Sequence, residues 1–271
     1  MKKILFTVIY LACIGHALGE TVYHPIREGL EISKASSPVS CSIGSIRISV
    51  KNQHISIETK NNTMHAPIDE LPGSAELIIG DMTGDDFCDL AIPYGKSDVN
   101  ESYKIFLYDR AHSTLVESKA GIITNPEFKT QKIVSSYRDA ARWHKETLCI
   151  SEILHDFYIC EKRTNIDSHI ESLTICNEQQ CTTPMIVHKL SSTQASAIVS
   201  VDKARLYEKL DDRSLKARKG YLINGDKVDL VDFFQSHDDF FYAISYVKGK
   251  STTTGWIRAT QLTLLPEKTN Q

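Results

Sequence analysis

Ala75-Glu76-Leu77-Ile78-Ile79-Gly80-Asp81-Met82-Thr83-Gly84-Asp85-Asp86-Phe87-Cys88-Asp89-Leu90-Ala91-Ile92 is an apolar run, an acidic loop and a second apolar run. It reads as strand, loop, strand. Asp81, Asp85 and Asp89 fall at positions 1, 5 and 9 of the loop. Carboxylates at odd spacing let a short turning loop fold around a hard cation, with a backbone carbonyl at position 7 as a further oxygen ligand. In this frame the ligands are Asp81, Thr83, Asp85, the carbonyl of Phe87, and Asp89. Asp and Gly are also ordinary turn residues, so the competing reading is an acidic hairpin turn that binds nothing.

Strand patterns extend outward from this loop. Ser45 to Glu58 alternates Ile and Val with polar residues across an Asn-Gln turn, the pattern of a half-buried hairpin. Tyr103 to Tyr108, Leu173 to Cys176 and Met185 to Val187 continue the series. Helix is expected nowhere except around Ser136–His144. The class is all-β, built of short strands between polar turns.

Residues 1–19 have the layout of a signal peptide: Lys2-Lys3, an apolar run from Ile4 to Ile14 too short to span a bilayer, and the small-x-small site Ala17-Leu18-Gly19. Tyr10-Leu11-Ala12 before Cys13 is a poor lipoprotein signal. The expectation is a periplasmic or secreted chain starting near Glu20, neither lipid-anchored nor membrane-embedded. Without the leader, 29 Lys and Arg face 34 Asp and Glu. Residues 196–271 hold 12 basic and 10 acidic side chains, which leaves 17 and 24 for residues 20–195. That acidic portion argues against nucleic acid and suits a basic protein partner.

Six cysteines remain after the leader, an even count that in an exported chain implies disulfides. Cys149 and Cys160 flank an expected hairpin, as do Cys176 and Cys181, and this leaves Cys41 with Cys88. Zinc is the alternative, though no C-x-x-C pair occurs. The sequence has no H-E-x-x-H, no G-x-S-x-G and no phosphate-binding loop, and its ten histidines are scattered. The reading is that the chain is not an enzyme.

The acidic loop resembles the D-x-N-x-D-G-x-x-D-L calcium loops of FG-GAP repeats, with Thr83 in place of Asn or Asp and Asp86 where Gly is expected. Asp tolerates a left-handed backbone better than most residues. From Ala75 to Cys160 the order of segments is similar to a family of small exported proteins with a propeller-like, calcium-binding fold, related to invertebrate-type lysozyme inhibitors. The segments are Leu77 to Ile92, Ser102 to Asp109, Asn125 to Phe128, and Ser135 to Glu146. The resemblance implies a periplasmic inhibitor or immunity protein directed at a lysozyme-like hydrolase. The Ser-Gly hairpin by which such inhibitors enter the enzyme's cleft has no counterpart, because the chain contains no Ser-Gly dipeptide. Tyr137, Arg138, Arg142 and Trp143 are the partner-binding candidates, being of the residue types that dominate interface hot spots. The competing reading buries Trp143 and leaves the arginines solvated or paired within the domain.

Residues 189–195 read as a polar linker between a first domain at 20–188 and a second at 196–265, with a tail at 266–271. In the second, Tyr221-Leu222-Ile223-Asn224-Gly225-Asp226-Lys227-Val228 and Gly255-Trp256-Ile257 are similar to bacterial SH3 domains. That resemblance implies a small β-barrel and a groove lined by Tyr207, Tyr221, Tyr246 and Trp256; core packing is the plainer account of these rings and of Phe241. Two functions follow. One is an exported inhibitor of a peptidoglycan hydrolase; the other is a structural protein that binds peptidoglycan through the SH3-like domain.

Overall fold

Alternating and continuous apolar runs become strands throughout. The computed structural model describes residues 21–33, 41–43, 46–51, 54–67, 75–129, 131–211, 214–236 and 239–267, so the expected signal peptide lies outside the described residues. In chain order the first strands are β1 (Val22–Pro25), β2 (Glu31–Ile32), β3 (Arg47–Lys51), β4 (His54–Glu58), β5 (Thr63–Pro67), β6 (Glu76–Gly80), β7 (Asp89–Ser97), β8 (Asn100–Asp109) and β9 (Thr114–Thr124). They form a four-stranded sheet, β2-β3-β4-β5, and a five-stranded sheet, β1-β6-β7-β8-β9. Next come β10 (Glu127–Lys129), β11 (Lys132–Asp139), β12 (Arg142–Ile150), β13 (Phe157–Asn165), β14 (Ile170–Ile175) and β15 (Met185–His188), a six-stranded antiparallel meander.

The five-stranded sheet is the middle layer, which explains the unbroken apolar run Leu77-Ile78-Ile79. A strand buried on both faces loses the apolar–polar alternation. Leu77 and Ile79 pack with Ile48, Ile55 and Ile57 of the four-stranded sheet, as do Leu90 and Ile92. Ile78 and Ala91 point the other way and pack with Ile133 and Leu148 of the meander.

The remaining strands are β16 (Ser196–Val199), β17 (Lys203–Lys209), β18 (Leu215–Ile223), β19 (Lys227–Gln235), β20 (Phe240–Lys248), β21 (Ser251–Arg258) and β22 (Leu262–Leu264), with a 3-10 turn at Ala259–Gln261. Their order is β18-β17-β21-β20-β19-β16-β22. The all-β class therefore holds, with several antiparallel sheets. Among the described residues no helix is long and apolar enough to cross a membrane.

One expectation is overturned. Ser136–His144 is not a helix but the hairpin of β11 and β12, in register from Lys132↔Cys149 to Asp139↔Arg142. Ala140 turns it with φ +50°. Tyr137 stacks on His144 across the strands, ring centroids 5.0 Å apart. Such cross-strand pairs stabilise a sheet and outweigh the helix propensity of the two alanines.

Residues 189–195 fold back as a hydrogen-bonded turn. Ser192 N–H donates to His188 O and His188 N–H to Thr193 O, each at 2.9 Å. Ala195 is fully buried between β15 and β19: it donates to Ile186 O at 2.8 Å and accepts from Leu230 N–H at 3.0 Å. Ile170 and Ile186 of the meander join the core formed by Val199, Leu206, Leu230 and Ile257.

All three disulfides are present, Cys41–Cys88, Cys149–Cys160 and Cys176–Cys181. The first ties the segment 41–43 to the acidic loop. Ser42 N–H donates to Asp86 O at 2.8 Å, and Cys88 N–H returns to Ser42 O at 3.0 Å.

Candidate functional site

The acidic loop runs from the end of β6 to the start of β7, and its aspartates organise its own backbone. Asp81 Oδ1 accepts the N–H groups of Gly84 (2.6 Å) and Asp85 (3.0 Å), while Oδ2 accepts that of Asp86 (2.9 Å). Asp85 Oδ1 takes Phe87 N–H at 2.9 Å. Gly84 and Asp86 have φ of +83° and +69°, so Asp86 does adopt the left-handed turn for which Gly is usual.

Asp89 is buried. Its Oδ2 accepts from Met82 (3.0 Å) and Thr83 (3.2 Å), and its Oδ1 from Tyr108 (2.9 Å). Burial pushes its carboxyl up to about 7; Asp85 and Asp81 add to the rise, and the N–H groups of Tyr108 and Met82 oppose it.

Two features fit a hard cation. The donor set is all oxygen, and Thr83 Oγ1 is buried without a hydrogen-bond partner. The carboxylates are nonetheless occupied by the N–H groups they cap. Among the described residues no three His, Cys, Asp or Glu side chains are gathered into a metal cage.

Beside the loop lies a cleft of about 620 Å³, walled by β8, β9 and the turn between β12 and β13. Asp85 and Asp89 reach it from the loop, and Asp109, Glu117 and Asp156 from the walls. Arg110 and Lys119 are the cations in its lining. Arg110 lies 4.6 Å from the centroid of Phe87, which stacks on Tyr108 at 5.1 Å. Phe87, chosen for its carbonyl, thus also contributes a ring beside the cleft.

The partner-binding candidates divide. Arg138 and Trp143 are exposed register partners near the tip of the β11–β12 hairpin, so Trp143 is not core. Arg138 is tied down through its backbone, which exchanges two 2.9 Å hydrogen bonds with the Asn100 side chain. Arg142 turns inward. Its guanidinium donates to Asn165 O (3.2 Å), Ile166 O (3.4 Å) and Gln235 Oε1 (2.6 Å), and lies over Phe233 and Phe240. It is a structural clamp between the meander and the last sheet.

In the C-terminal part, Tyr207 and Trp256 are register partners of β17 and β21. Phe241 meets Tyr207 edge-on at 5.3 Å and Phe234 meets Trp256 at 6.1 Å. Lys209 lies 5.9 Å from the centroid of Trp256, and Arg258 lies 6.0 Å from that of Tyr207. Arg258 also pairs with Asp239 at 3.1 Å. Tyr221 is exposed on the edge strand β18 beneath Lys203, and the Tyr246 hydroxyl donates to Asp226 at 2.8 Å. Phe234 carries no sequence-based reading, although the paired phenylalanines at 233–234 and 240–241 mark two neighbouring strands with rings on both faces.

Comparison with family models, with curated proteins and with solved structures finds no match to the chain.

Proposed function

We propose that this is an exported binding protein that inhibits a peptidoglycan hydrolase. The observation that carries the proposal is the carboxylate-lined cleft, set in a portion that holds 24 acidic against 17 basic residues. Complementary charge speeds encounter with a basic partner and disfavours wrong ones. The three disulfides fit an oxidising compartment such as the periplasm. In this reading residues 20–188 are a propeller-like inhibitor domain, 196–265 an SH3-like barrel, and neither is an enzyme.

Calcium belongs to the same proposal. Asp81, Thr83, Asp85, Asp89 and the Phe87 carbonyl would hold it, and its charge would offset the clustered carboxylates.

The test is to assay the purified chain against a panel of muramidases spanning acidic to basic isoelectric points. Inhibition weighted towards the basic members is expected. Inhibition of none sinks the reading.

A second reading, a structural peptidoglycan-binding protein, is favoured by the cluster of Tyr207, Phe234, Phe241 and Trp256 with Lys209 and Arg258 above it. Sedimentation with purified sacculi that is lost in Trp256→Ala, with no hydrolase inhibited, selects it.

A further inference from the structure

Val116, Ile153 and Leu154 are exposed by 50%, 80% and 55%. Single exposed aliphatics are ordinary, and Leu190, Leu210 and Val247 are examples. These three differ in their placement. Val116 and Leu154 line the same acidic cleft, and Ile153 stands next to Leu154 at the crest of the turn between β12 and β13.

That turn is fixed. Ser151 N–H donates to Asp156 O and His155 N–H to Ser151 O, both at 2.9 Å. Leu154 N–H donates to the buried Ser151 Oγ at 2.9 Å. The Asp156 carboxylate takes the Ser118 hydroxyl (2.5 Å) and the Lys119 N–H (2.9 Å), which bolts the turn to β9. The Cys149–Cys160 disulfide closes the hairpin behind it. Two large aliphatic side chains are therefore presented to solvent on a backbone with little freedom left to lose, the condition under which docking costs least.

The cleft beside them names the chemistry of the partner. Five carboxylates line it against Arg110 and Lys119, with Tyr108 and His155 as the further titratable groups. Glu117 shares its charge with Lys104 at 3.0 Å, Asp109 pairs with His112 at 2.6 Å, and Arg110 is engaged with Phe87. A second copy of this chain docking through the same face would set acid against acid, since a two-fold interface pairs each patch with itself.

We infer that the turn 151–156 and the adjoining cleft form the docking surface for a cationic protein. Ile153 and Leu154 enter an apolar pocket of that partner, and one of its Lys or Arg side chains lies in the cleft. The inference rests on the reading of the chain as an exported binding protein. It moves the contact from the Tyr137–Trp143 hairpin tip to the opposite end of β12.

The test has two arms. In the first, the isotope-labelled chain from residue 20 is titrated with benzamidine, a cation on an apolar body, and with its neutral isostere benzamide. Benzamidine should shift amide signals around Tyr108–Ala111, Glu117–Lys119 and Leu154–Asp156, at least about tenfold more tightly than benzamide, and Glu117→Gln should weaken it several-fold. No shift, an equal response to benzamide, or shifts elsewhere overturns the inference. In the second arm, the double variant Ile153→Asp, Leu154→Asp should lose at least about tenfold in inhibition of any muramidase that the parent chain inhibits, with its melting temperature unchanged. Unchanged inhibition overturns the docking surface and leaves the inhibitor reading standing. Benzamidine in the cleft with no muramidase inhibited removes the inhibitor reading and leaves the cation-accepting surface.

Discussion

The guanidinium carbon of Arg142 lies 4.9 Å from the centroid of Phe233, on β19 of the C-terminal sheet. Phe240 lies 5.4 Å away and stacks on Phe233. The same side chain ends the hydrogen-bonding needs of two backbone carbonyls, those of Asn165 and Ile166. One residue on β12 thus joins the meander to β19 and β20 through charge, ring faces and hydrogen bonds together.

Arg142→Ala is expected to cost about 2–4 kcal/mol, because hydrogen bonds to a charged donor are worth about 1.5–3 kcal/mol and a cation–π contact about 0.5–2 kcal/mol, and contacts made by one side chain are not additive. Arg142→Lys should recover only part of this, since an ammonium lacks the planar fork that serves three acceptors at once. Urea denaturation of the three proteins measures it. If the chain inhibits a muramidase as proposed, that inhibition per folded molecule should be unchanged in both variants.

Cys41–Cys88 closes the longest loop, with a sequence separation of 47, and Cys176–Cys181 the shortest, with a separation of 5. Chain entropy then ranks their loss at about 4 and about 2 kcal/mol. Paired Ser variants in thermal melts should reproduce that order. The denatured, unreduced chain from residue 20 should show essentially no reactive thiol.

The fold was legible where local pattern and burial agree. Cys149 and Cys160 bracket a hairpin visible in the sequence, and Tyr103–Tyr108 sits inside β8 as its aromatic and β-branched residues require. Ser136–His144 misled because its two alanines favour helix, while the Tyr137–His144 stacking that decides the matter is a contact between strands. Asp86 was legible as a strained turn residue from its place in the loop. Pairing of Arg142 within its domain stood among the expectations, but its reach to Phe233 and Phe240 did not, because those rings lie far along the chain. Ile153 and Leu154 are not legible for a similar reason: nothing local distinguishes an aliphatic on an exposed turn from one in a core.

Asp89 sets a pH limb. Its carboxyl has an ordinary value of 3.8 and is pushed up to about 7 in the fold, chiefly by burial. Between those values the native state binds more protons than the unfolded chain, so stability falls as pH rises from about 4 to about 7 and is fully retained below about 4. Denaturation in chelator across that range should show the decline. Asp89→Asn should flatten it, at a lower overall stability, because an amide cannot accept the N–H groups of Met82, Thr83 and Tyr108 as a carboxylate does. A decline that persists in Asp89→Asn assigns the limb to other groups.

Thr83 separates the two readings of the acidic loop. Its Oγ1 is buried without a hydrogen-bond partner, and an unsatisfied buried hydroxyl costs about 1–3 kcal/mol. Thr83→Val replaces it with a methyl group of nearly the same size. In chelator the variant is therefore expected to be more stable than the parent, by about 1 kcal/mol. With calcium the order should reverse. A ligand bound only by the folded state stabilises by mass action, and the parent should melt higher as calcium rises through the millimolar range typical of weak extracellular sites, about 10⁻⁴ to 10⁻³ M. The variant lacks one oxygen ligand and should need several-fold more calcium for the same shift; Asp81→Ala should abolish the shift. Calorimetric melts of the three proteins, with and without calcium, measure both effects. If Thr83→Val is stabilising and calcium moves neither curve, the loop is an acidic turn whose aspartates serve only its backbone.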